Sequence, residues 1–121
     1  MSEGAKLVLV VDDDPAIREA LRQALEDEGH SVSEACDGAA ALSTLRAGMR
    51  PHVILLDHMM PVMDGPTFAA EVGKDPALSG LSIVLITADG RAPQKAQAMG
   101  LSAYLNKPVE LDVLLDLVAR T

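Results

Sequence analysis

The sequence predicts an α/β domain built on a parallel sheet, and three observations predict it. Two apolar runs, Leu7–Val11 and Val53–Leu56, contain no polar residue, as expected of strands buried on both faces of a sheet. Each run ends in acid, Asp12-Asp13-Asp14 after the first and Asp57 after the second. Strand-like and helix-like stretches then alternate five times, the period of right-handed strand–helix–strand crossovers.

The first strand spans about Lys6–Val11. Pro15 suits the first turn of the following helix, with Asp13 or Asp14 as N-cap. Ile17, Leu21, Ala24 and Leu25 recur at helical spacing until Gly29 stops them. Ser31–Ala35 alternates weakly and reads as an edge strand. Asp37 can cap a second helix, Gly38–Ala47, with Leu42 and Leu45 facing inward. The third strand is Val53–Leu56. Pro61 and Gly65 bound a loop, Pro66 starts the third helix, and Asp75-Pro76 breaks it near Lys74. Leu81–Ile86 is the fourth strand, with Thr87 at its end. A weak helix over Ala92–Met99 is stopped by Gly100, and Ala103–Asn106 forms a short fifth strand. The last helix starts near Glu110. Its Leu111, Leu114, Leu115 and Val118 form one core-facing stripe, with Val113 and Leu117 on the opposite side.

At 121 residues, the chain reads as one domain, 1–121, with enough apolar content (49%) for a core. Aromatics are only Phe68 and Tyr104, so that core is aliphatic. A net charge of −8 argues against direct nucleic-acid binding, which needs a basic footprint. No run is long enough to span a membrane, and Met1-Ser2-Glu3-Gly4 is too short and polar for a signal peptide. The lone Cys36 excludes an internal disulfide and fits a reducing cytoplasm, its expected role being a small core residue near a strand end. His30 and His52 read as ordinary loop-end residues.

Ligands of open parallel sheets bind beyond the carboxyl ends of the strands. Three carboxylates crowded there repel unless a cation holds them or a proton neutralises one. Oxygen ligands without Cys point to a hard ion, Mg²⁺. One of the Asp12–Asp14 run is needed for helix capping, and Asp64 before Gly65 reads as turn chemistry rather than a ligand. His58 is expected to point away from Asp57, as successive strand side chains diverge.

Four stretches occur in order: Val11-Asp12-Asp13-Asp14-Pro15, Asp57-x-x-Met60-Pro61-x-Met63-Asp64-Gly65, Thr87-Ala88 and Tyr104-Leu105-x-Lys107-Pro108. Together they resemble the receiver domain of two-component response regulators, the CheY-like family, over essentially the whole chain. The resemblance implies a doubly wound, flavodoxin-like sheet of order 2-1-3-4-5 with five flanking helices. It implies Asp57 as phosphoacceptor, with Mg²⁺ held by Asp13, Asp57 and the Met59 backbone carbonyl, and by Asp12 mainly through water. Lys107 and Thr87 would contact phosphoryl oxygens, and the Lys107-Pro108 peptide would be cis. Thr87 and Tyr104 would form the switch, and Met59 and Asp89 would tune phosphoryl lifetime. The implied partners are a sensor histidine kinase or histidine phosphotransfer protein, and a downstream target or second copy on the face of the fourth helix, fifth strand and fifth helix. Val113 and Leu117 are the candidate contacts on that face.

Competing functions fit less well. A phosphatase of the haloacid dehalogenase type also uses a strand-end Asp and Mg²⁺, but wants a second Asp where Met59 stands, and a cap domain. Neither G-x-G-x-x-G nor a P-loop is present. The expected catalysis is therefore limited to the domain's own phosphorylation and dephosphorylation. The alternative is a phosphorylation-independent receiver-like interaction module. Nothing is left over for an output domain after the fifth helix. The chain reads as a diffusible messenger, a relay intermediate, or a fragment of a longer regulator, and Met1 favours a natural start.

Overall fold

A computed structural model of the chain describes residues 5–101 and 103–121. The polar Met1-Ser2-Glu3-Gly4 stretch, read above for its lack of signal-peptide character, lies outside the described residues. Five strands alternate with five helices: β1 (Leu7–Val11), α1 (Pro15–Asp27), β2 (Ser31–Ala35), α2 (Gly38–Arg46), β3 (Val53–Asp57), α3 (Gly65–Lys74), β4 (Ile83–Thr87), α4 (Ala92–Ala98), β5 (Ala103–Asn106) and α5 (Leu111–Arg120). All strand pairs are parallel, in the order β2-β1-β3-β4-β5 that the resemblance implies. Among the described residues no helix is long and apolar enough to cross a membrane.

The side-chain alternation of the strands sorts the core into two layers. Leu9, Val11, Ile54 and Leu56 pack with Leu42 and Leu45 of α2 and Phe68 and Val72 of α3. Val8, Val10, Val53, Leu55, Val84 and Ile86 pack on the other face with Leu21 and Leu25 of α1 and Leu114 and Val118 of α5. Every residue of β3 and β4 is buried, which is why their sequences carry no polar alternation. β2 lies at an edge and keeps Ser31 and Glu34 exposed.

Helix starts follow local chemistry. Of the two candidates for capping α1, Asp14 does it, accepting from the Ala16 amide at 2.9 Å. Asp37 accepts from Ala40 and Asp64 from Thr67, at 2.8 and 2.9 Å. Asp64 is thus the N-cap of α3, and its two bonds to Thr67, the backbone one first, hold its carboxyl below the usual range. α4 has no capping side chain.

Four expectations need correction. Cys36 is exposed, because Ala35 ends β2 and takes the core position that the cysteine was assigned. On α5, Leu111 is 48% exposed: the core stripe centres on Leu114 and Val118, and Leu111 instead borders a shallow hollow with Ile17 and Leu21 of α1. Leu117 is half-buried and packs against the core layer that α1 and α5 cover instead of lying on the far side. β4 starts at Ile83, because the Leu81 amide is bonded back to Leu78 in a turn.

Candidate functional site

The site grows from four strand ends. β1 and β3 are neighbours, so Asp12 and Asp13 after Val11 and Asp57 after Leu56 emerge side by side at one edge. Carboxylate oxygens of Asp12, Asp13 and Asp57 lie within 4.8 Å of one another. Asp12 and Asp57 are buried and Asp13 is exposed. Thr87, buried, closes β4 next to β3. Its carbonyl accepts from the Lys107 amide at 2.9 Å, which brings the segment after β5 over the site. The Lys107-Pro108 peptide is cis.

From that position Lys107 Nζ reaches Asp57 Oδ1 at 3.0 Å and Asp12 Oδ2 at 3.3 Å. Three carboxylates against one ammonium leave excess negative charge. Burial pushes the Asp57 carboxyl above its ordinary range, and the charges on Asp12 and Asp13 push the same way against the bond from Lys107. Burial pulls the Lys107 ammonium down, but its bond to Asp57 and the charges on Asp12 and Asp57 outweigh that and raise it. A cluster of hard oxygen donors with uncompensated charge fits a divalent cation such as Mg²⁺.

Beside the cluster lies a hollow of about 390 Å³. It is lined by Asp57, His58 and Met59 after β3, by Thr87, Ala88 and Asp89 at the end of β4, and by Lys95 and Lys107. Both tuning candidates, Met59 and Asp89, therefore border Asp57. Met59 is 73% exposed. His58 lines the same hollow and is not among the clustered carboxylates. A separate hollow of about 250 Å³ joins Tyr104 to Val113 and Glu110. Tyr104 points outward, 39% exposed, and Leu117 is not part of that lining.

Sequence reasoning missed the support of the acidic turn. Arg18 donates from Nη1 to the Asp12 carbonyl at 2.7 Å and from Nε to Glu34 at 3.2 Å. Glu34 also accepts from Arg22 at 2.7 Å, which with Glu26 holds the Arg22 guanidinium raised. The Asp14 amide donates to Asp12 Oδ1 at 2.9 Å, turning that carboxylate back over its own loop. At the start of α3, Gly65 sits where a Cβ would come within 2.7 Å of the Asp57 carbonyl oxygen. His30 and His52, read as ordinary loop ends, each accept on Nδ1 from a β1-side amide, Lys6 at 3.0 Å and Leu7 at 2.9 Å.

Known proteins resemble this chain in sequence and fold. Residues 8–119 match the response regulator receiver domain family. The chain is 33% identical over 110 residues to the DNA-binding dual master transcriptional regulator RpaA of Synechocystis, covering 89% of this chain and 45% of that protein. It is 43% identical over 110 residues to the response regulator PleD of Caulobacter vibrioides, covering 89% and 24%. It thus spans less than half the length of these curated relatives. Among solved structures, the chemotaxis response regulator CheY4 of Vibrio cholerae superimposes with a TM-score of 0.85 at 34% identity, covering 96% of this chain and 98% of that one. With a family match over nearly its full length and strand-end acids, threonine and lysine in family order, this chain belongs to the receiver domains of two-component response regulators.

Proposed function

We propose that Asp57 accepts a phosphoryl group from a sensor histidine kinase or histidine phosphotransfer protein, and that the change is read out through the α4-β5-α5 face. The observation that carries this reading is the convergence of Asp12, Asp13, Asp57 and Lys107, drawn from two strand ends and the β5–α5 loop. An Asp57 oxygen attacks phosphorus. The bond from phosphorus to the donor imidazole breaks, and its electron pair returns to that nitrogen. The product is an aspartyl phosphate.

Asp13, Asp57 and the Met59 carbonyl would hold Mg²⁺, with Asp12 acting mainly through bound water. When bound, the ion neutralises charge on the transferring phosphoryl oxygens. The Lys107 ammonium, already 3.0 Å from Asp57, pairs with another phosphoryl oxygen. The Thr87 hydroxyl donates to a third. Thr87 moves inward as it does so, and Tyr104 turns from its outward position into the vacated space. Met59 and Asp89 flank the approach of hydrolytic water and set phosphoryl lifetime. The chemistry is limited to the domain's own phosphorylation and dephosphorylation. A downstream protein or a second copy docks beside Tyr104 and Val113, with Leu117 contributing only its exposed part. An acidic domain with a single cysteine suits the cytoplasm.

The test is intact mass after incubation with acetyl phosphate and Mg²⁺. One added phosphoryl group in wild type, absent in Asp57→Asn and lost with EDTA, is the expected result. No gain in wild type rejects the reading and leaves a phosphorylation-independent interaction module.

A further inference from the structure

Two lysines border the hollow over Asp57. Lys107 is committed to Asp57 and Asp12. Lys95 is different. It projects from the middle of α4, its side chain is 25% exposed, and its ion-pair partner among the described residues is Asp89. Asp89 is itself fixed, since its Oδ1 accepts from the Arg91 amide at 2.9 Å. An ammonium held in this way is stationed at the mouth of the hollow rather than swept through solvent. A cation fixed at the rim of a cleft raises the local concentration of an anionic ligand. The hollow otherwise presents carboxylates, which repel such a ligand.

We infer that Lys95 is a specificity-determining residue, which draws the dianionic phosphoryl group of the incoming donor onto Asp57 and exchanges its contact with Asp89 for one with the donor. The inference rests on the proposed acceptance of a phosphoryl group at Asp57 and extends it to capture of the donor. With acetyl phosphate the step balances. The new bond joins an Asp57 oxygen to phosphorus, the bond from phosphorus to the acetyl oxygen breaks, and acetate leaves with the electron pair. The carboxylate and dianion become an aspartyl phosphate dianion and an acetate anion, with no proton required. Asp89 restrains capture by holding Lys95, so removing its charge while Lys95 remains should help the donor bind.

The experiment is the rate of mass gain with acetyl phosphate and Mg²⁺ at low and high ionic strength, for wild type, K95Q, K95R, D89N and K95Q/D89N. The decay of the aspartyl phosphate is followed after donor removal. In K95Q the second-order rate constant should fall about 3- to 10-fold at low salt, and the gap should shrink as salt screens the charge. K95R should recover most of the loss, and decay should stay within about twofold of wild type, a separation that a merely structural role for Lys95 would not give. D89N should gain more rate where Lys95 is present than in the K95Q background, which a double-mutant cycle reads directly. The inference is overturned if K95Q matches wild type within twofold at low salt, or if D89N gains as much without Lys95 as with it. Failure of wild type itself to gain mass would overturn the acceptor reading instead, so the two are separable.

Discussion

Lys107 Nζ spans two carboxylates at once, 3.0 Å from Asp57 Oδ1 and 3.3 Å from Asp12 Oδ2, across 50 and 95 residues of sequence. Among the described residues it is the cation ion-paired to both buried acids, and removing it leaves two buried carboxylates facing each other. Lys107→Met should therefore destabilise the metal-free domain by about 1–3 kcal/mol, less than a fully buried pair because the ammonium is partly exposed. Urea unfolding with and without Mg²⁺ checks this. The loss should shrink when the ion is present, since a ligand that binds only the folded state adds stability by mass action. A loss unaffected by Mg²⁺ would separate the lysine from the acidic cluster.

The raised carboxyl of Asp57 has a pH signature. Burial is its largest cause, so the folded state holds the proton more tightly than the unfolded chain does. Stability then falls as pH climbs from the ordinary carboxylate range through the raised value. Asp57→Asn carries no such charge. In metal-free buffer the melting temperature of the mutant should rise relative to that of wild type as pH climbs from about 4 to 7. Lys107 does not alter this window, because a raised lysine keeps its contribution until strongly alkaline pH. A difference that stays constant across that range would mean that Asp57 ionises in the folded domain without cost.

Gly65 is fixed by contact rather than by backbone angle. A Cβ there would meet the Asp57 carbonyl oxygen at 2.7 Å and the His58 backbone at 3.1 Å. Both neighbours are backbone, so the strand end or the helix start must move. Gly65→Ala should cost about 1–3 kcal/mol by overpacking and should slow mass gain with acetyl phosphate, because the atom displaced belongs to the proposed acceptor residue. Gly73→Ala, at a position with open space, is the control and should leave both unchanged.

Much of this was legible in the sequence, and the reasons differ by element. β3 and β4 are buried on both faces, so their apolar runs announce themselves. The acids after β1 and β3 were readable because strand ends are where open parallel sheets place ligands. The contact of Lys107 with Asp57 was accessible only through family resemblance, since no local pattern links residues so far apart. Arg18 and Glu34 were missed because their meeting depends on α1 lying along β2, and neither residue breaks a helix or strand pattern. Leu111 was misplaced because helical periodicity fixes a face but not how far the core beneath it extends.

α4 should be the least protected helix. It has seven residues, no side-chain cap, and only Ala92 and Ala96 buried, so little apolar area holds it to the sheet. α1, with thirteen residues, an Asp14 cap and Leu21 and Leu25 buried, is the internal comparison. Opening free energies track such local contacts. Amides of α4 should exchange at least about tenfold faster than those of α1, a gap equivalent to about 1.4 kcal/mol in local opening. Native-state hydrogen exchange by NMR reads both helices in one sample. Because Lys95 and the outer side of the Asp57 hollow ride on α4, a helix that opens easily would let the ammonium leave Asp89 without disturbing the core. Protection of α4 equal to that of α1 would instead make it a rigid wall, and the readout at the α4-β5-α5 face would then have to come from β5 and α5.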